Sequence, residues 1–114
     1  MNLILKIVPR ALWIEAEGTG LFLGAPVDRA DGFIHFSTPA QVEETAAKHF
    51  AGEHDLLLVA VDPERLGEAL RWDASRGGAL FPHLYTPLFI ADVAWAKPLP
   101  LGPDGRHDFA GLIR

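Results

Sequence analysis

The chain reads as an α+β protein: a single domain over residues 1–114, with a bent or split, mostly antiparallel sheet and two helices packed on it. Three observations predict this. "DLLLVAVD", residues 55 to 62, is apolar throughout, as a central strand covered on both faces is. "STPAQVEETAAKHF" opens on a helix-start pattern and continues with apolar residues at helical spacing. Strands and helices are mixed, but no βαβ rhythm is sustained along the chain.

The first predicted element is a strand: "NLILKIV", residues 2 to 8, alternates loosely. Pro9 then opens a short helix at the position where a missing N–H costs nothing. Leu12 and Trp13 form its apolar side and Gly18 ends it. Residues 18 to 30 carry glycines, a proline and two charges, and read as a loop. A strand over 32 to 36 puts Phe33, His35 and Ser37 on one face and Ile34 and Phe36 on the other. Thr38 as N-cap, Pro39 in the first helical position and Gln41 three after the cap make a capping-box pattern. Val42, Ala46 and Phe50 turn one side of that helix inward, and Gly52 ends it. After the central strand, Asp62-Pro63 begins a helical turn, and "LRWD", residues 70 to 73, forms a short strand. "ASRGGALFPHLYTPL" reads as irregular, "ADVAWAKPL" as the last strand, and the tail as rich in turns.

Composition removes several classes of function. A net charge of −5 without a basic stripe counts against duplex nucleic acid as a partner. No apolar run approaches a membrane span, and the N-terminus lacks the basic start of a signal peptide, so a cytoplasmic location is expected. With no cysteine there is no disulfide framework, thiol nucleophile or thiolate metal site. His49 and His54 are too far apart to share one helix face; His35, His83 and Asp31 could converge, but no spacing demands it, and no metal is expected. There is no Gly-x-Ser-x-Gly elbow and no glycine-rich phosphate fingerprint after a strand.

Two segments carry candidate chemistry. In "DGFIHFST" a strand delivers His35 within a few residues of a helix N-terminus, whose free N–H groups suit an anion. Ser37 and Thr38 offer hydroxyls there; alternatively Thr38 serves only as the cap, and His35 is a core histidine satisfied by backbone. In "RWDASRGGALFPHLYTPL", Arg76 suits a forked contact to phosphate or carboxylate, and Gly77-Gly78 allow close backbone approach. His83 lies between two prolines, and Tyr85 offers a flat ring and a hydroxyl. "HFST" also looks like one half of a two-histidine phosphoesterase pattern, but in "HLYT" the threonine of a second copy comes one residue late.

"DGFIHFST", "AQVEETAAKHF", "LLLVAVD" and "RWDASRGGALFPHLY" together resemble the small bacterial family called domain of unknown function 952, from "ILKIV" to "VAWAKPL". The resemblance implies a fold similar to the ADP-ribosyltransferases, which bind NAD between two small sheets. It places His35 where those enzymes have a strand histidine on the nicotinamide ribose. The resemblance also implies a tyrosine that stacks on nicotinamide; no motif matches it here, and Tyr85 is the candidate stand-in. No glutamate matches the catalytic one; Asp73 is the nearest carboxylate, and Asp92 precedes the last strand. The expectation is a cleft for a nucleotide-like or anionic small molecule, with His35 and Asp73 as catalytic residues. Ser37, Thr38, Arg76, His83 and Tyr85 would bind the ligand, with no resident cofactor and NAD as a substrate. The competing class is a non-catalytic ligand-binding or protein-interaction module that keeps the cleft without the carboxylate.

Overall fold

The computed structural model describes residues 2–113, with Arg76 described by its backbone alone. In chain order the elements are β1 (Ile4–Pro9), α1 (Arg10–Thr19), β2 (Leu21–Phe22), α2 (Pro26–Asp31), β3 (Ile34–His35) and α3 (Pro39–His49). They continue as β4 (Leu56–Val61), β5 (Leu70–Ala74), β6 (Leu80–Leu84), β7 (Leu88–Phe89) and β8 (Val93–Leu99), with short 3-10 turns between.

The uninterrupted apolar run becomes β4, the middle strand of the order β1-β4-β8, and all its residues are buried. Period-two alternation sends its side chains to two cores. Leu57, Val59 and Val61 pack with Ile4, Val8, Trp13 of α1, Phe22, Ile34 and Leu84. Leu56, Leu58 and Ala60 pack with Leu5, Ile7, Val42 and Ala46 of α3, and Phe109 from the tail. A second sheet has the order β3-β6-β5, and β2 pairs with β7; every strand pair is antiparallel.

The split in the sheet has a local cause. Ile34 and His35 pair with β6, but two residues later Ser37 exchanges both backbone hydrogen bonds with Leu5 of β1, at 2.8 Å each. One short segment therefore belongs to both sheets and passes between them. It leads directly into the helix start that the capping-box pattern specifies: α3 begins at Pro39, and the Thr38 N–H donates to Gln41 Oε1 at 3.1 Å. Gln41 Nε2 also donates to the Leu80 carbonyl at 2.8 Å, tying α3 to β6.

Four expectations need correction. Pro9 ends β1 rather than opening α1, and α1 stops at Gly20 (φ +83°), not Gly18. Residues 18 to 30 are not one loop, because β2 and most of α2 lie there; among the described residues there are three α-helices rather than two. The stretch after Asp73 is not irregular: β5 and β6 form a hairpin. Gly77 and Gly78 close it at positive φ (+63° and +82°), with the Gly78 N–H on the Ser75 carbonyl at 2.8 Å, so their flexibility serves the turn. Finally, α3 ends at His49, before Gly52. Among the described residues, no helix is long and apolar enough to cross a membrane.

Candidate functional site

The β3–β6 register sets His35 directly opposite His83. Their ring centroids are 5.4 Å apart, edge to face. Phe33 stacks on His83 with ring centroids 4.2 Å apart and packs against His35 at 4.6 Å and Tyr85 at 5.1 Å, so one phenyl ring contacts all three candidate rings.

Each histidine has its own carboxylate. His83 is buried, and its Nδ1 lies 2.9 Å from Asp73 Oδ2. The Tyr85 hydroxyl donates to the same oxygen at 2.6 Å, and the Arg71 guanidinium sits over the Tyr85 ring at 5.2 Å. The Tyr85 and His83 hydrogen bonds, aided by the charges of His83 and Arg71, hold the Asp73 carboxyl below its ordinary value against the opposing effect of desolvation. The bond to Asp73 in turn raises the Tyr85 phenol. A carboxylate only accepts, so Nδ1–H of His83 donates and a neutral ring carries its lone pair on Nε2. Nε2 has no hydrogen-bond partner among the described residues.

His35 is held from two sides: Nδ1 lies 2.6 Å from Asp28 Oδ1 and Nε2 2.9 Å from Asp31 Oδ2. Asp28 is only 1% exposed. It accepts from the backbone N–H of Ala25 (2.7 Å) and of His35 (3.1 Å), and from Lys6 Nζ at 3.0 and 3.1 Å. Lys6, also buried, donates in addition to the His35 carbonyl at 2.9 Å. Burial pushes the Asp28 carboxyl up, but the His35 hydrogen bond, the Lys6 charge and the two backbone N–H groups outweigh it and bring it to about 2. For Lys6 burial dominates and lowers the ammonium, with Asp28 opposing.

Both histidines line a cavity of about 610 Å³. Its walls are mainly apolar (Leu5, Ile7, Val27, Phe36 and Phe81 among them), with Lys6, Asp31, Ser37, Thr45, His49 and Ser75 as further polar residues. The polarity fits a small organic molecule oriented by a few polar contacts. Ser37 Oγ is 3.0 Å from Thr45 Oγ1. Among the expected site residues, His35, His83 and Ser37 meet at this cavity, while Asp73 and Tyr85 stand behind His83 and do not line it. Thr38 caps α3 and does not line it either. The Arg76 side chain lies outside the described part of the chain.

Sequence reasoning missed Asp28 and Lys6. Pro26 followed by Asp28 two residues on is a helix-start signal that marks α2. Nothing in that pattern reveals that the carboxylate is buried under His35. Among the described residues, no group of three or more His, Cys, Asp or Glu is arranged to hold a metal ion.

Fold and site together define an α+β domain with a cleft and two facing histidines, each backed by a carboxylate. A family model described as "Protein of unknown function (DUF952)" matches residues 7–96, and the chain belongs to that family. The crystal structure of protein CC0527 from Caulobacter crescentus is 50% identical over 97% of both chains, with a TM-score of 0.94. The solution NMR structure of CC0527 is 52% identical over 94% of this chain and 92% of that one, with a TM-score of 0.86. No curated protein matches the chain.

Proposed function

We propose that the cleft takes a nucleotide-like small molecule, and that the reaction it fits best is glycosidic cleavage of NAD-type compounds or transfer of their ADP-ribosyl group. The observation that carries this reading is His83 at the cavity wall, with Nδ1 tied to Asp73 and Nε2 unpartnered among the described residues. That is the geometry of a general base or of an acceptor for a ribose hydroxyl. The apolar walls suit a flat heterocycle. The split between two small sheets and the position of His35 support the ADP-ribosyltransferase resemblance. In hydrolysis, the C1′–N bond breaks with its electron pair going to nicotinamide. Water bonds to C1′, and His83 Nε2 takes the water proton. Asp31, which lines the cavity, stabilises the developing positive charge of the sugar. Asp73 orients His83 rather than touching the sugar.

One observation favours the non-catalytic alternative. Asp28, Asp31 and Asp73 all already accept from a histidine ring, so no carboxylate beside the two histidines is free of a partner. The test is incubation with NAD and assay of nicotinamide release, beside direct binding of NAD and ADP-ribose. The enzyme reading expects release that falls at least about a hundredfold in His83→Ala, the low end for a general base. Binding without release selects the module, and absence of both rejects the reading.

A further inference from the structure

We infer that Asp28 is the positioning residue of the cleft: it fixes the His35 ring through Nδ1–H, so that Nε2, held only by the half-exposed Asp31, is the one ring atom a ligand can reach by displacing its partner. That a ligand comes to Nε2 rests on the function proposed above; the positioning itself does not.

Asp28 uses both of its oxygens. Oδ1 accepts from His35 Nδ1, from the His35 backbone N–H and from Lys6; Oδ2 accepts from Ala25 N–H and Lys6. The same carboxylate thus grips both the ring and the backbone of His35, and the ring cannot turn over without abandoning a 2.6 Å contact. Lys6, anchored on β1, supplies the counter-charge that lets the carboxylate stay ionised while buried. Gly24 is adapted to this arrangement. At φ +109° it brings the chain so close that a Cβ there would lie 2.8 Å from Asp28 Cβ.

The other side of the ring is built differently. Asp31, on Nε2, is half exposed and lines the cavity, so its contact is one that a ligand oxygen can replace. Asp28 is sealed beneath and cannot be replaced. The result parallels His83, whose Nδ1 is held by Asp73. Two histidines on adjacent strands are each fixed through Nδ1 by a separate carboxylate.

Nitrogen-resolved NMR of the imidazole rings tests this without any ligand, with His35→Gln and His83→Gln assigning the signals. The wild-type protein should show a protonated, slowly exchanging Nδ1 on His35, and Asp31→Ala should leave it in place. Asp28→Asn should speed exchange of that proton about fivefold or more, as a charge-assisted bond becomes a neutral one, and leave His83 unmoved. Asp73→Asn should do the reverse. The double variant Lys6→Met, Asp28→Asn reads the same effect without an unpaired buried ammonium. An unprotonated Nδ1 on wild-type His35, its loss in Asp31→Ala, or equal movement of both histidines in Asp28→Asn would overturn the assignment.

Discussion

At the scale of single residues, the site consists of carboxylates that set the state of their neighbours. Tyr85 is the chain's one tyrosine, which makes its ionisation directly readable. Its phenol is raised above 10.0 chiefly by the hydrogen bond to Asp73. Ultraviolet titration should therefore give a tyrosinate transition above 10.0 in the wild type and one shifted down in Asp73→Asn. An unchanged transition would mean that Tyr85 and Asp73 are not bonded in solution. Asp28 supplies a second test. Its folded value, about 2, lies below its ordinary 3.8. Its contribution is therefore fully present well above pH 3.8 and lost as pH falls toward 2. The difference corresponds to about 2 kcal/mol. Urea unfolding measured from pH 5 downward should show a shallower acid loss by about this amount in the Lys6→Met, Asp28→Asn double variant.

Elements differ in how far the sequence determines them alone. α3 was legible because its signals are local: cap, proline, Gln41 and an apolar stripe all lie within one stretch. β4 was legible because a strand covered on both faces leaves a continuous apolar run. α2 was not, because it is six residues long and has no apolar period. What holds it is Asp28 reaching Lys6 on β1 and His35 on β3, and such contacts leave no mark in the sequence. The β5–β6 hairpin was hidden by its glycines and prolines, which read as irregular but supply the turn and a strand position. The anchoring of α2 can be probed at Gly24. Gly24→Ala meets both an unfavourable φ and the 2.8 Å approach to Asp28. It should cost about 1–3 kcal/mol in chemical denaturation. A neutral effect would show that the segment before α2 can move away from Asp28.

For the whole molecule, the two-sheet layout is what brings distant residues together. His35 and His83 were each legible as candidates, but their pairing is a matter of strand register, which neither segment reveals alone. The candidate roles changed accordingly: Asp73 orients His83, and the cavity meets His35, His83, Ser37 and Asp31 instead. On the proposed reading, this cavity binds a nucleotide-like compound through its two histidines. Thermal unfolding with NAD and with ADP-ribose, in the wild type, His35→Ala and His83→Ala, tests it most directly. A ligand at a hundredfold excess over Kd adds about 2.7 kcal/mol to the folded state. The wild-type Tm should rise by several degrees, with little or no rise in folded samples of either variant. No rise in the wild type, or an equal rise in all three proteins, would contradict the claim.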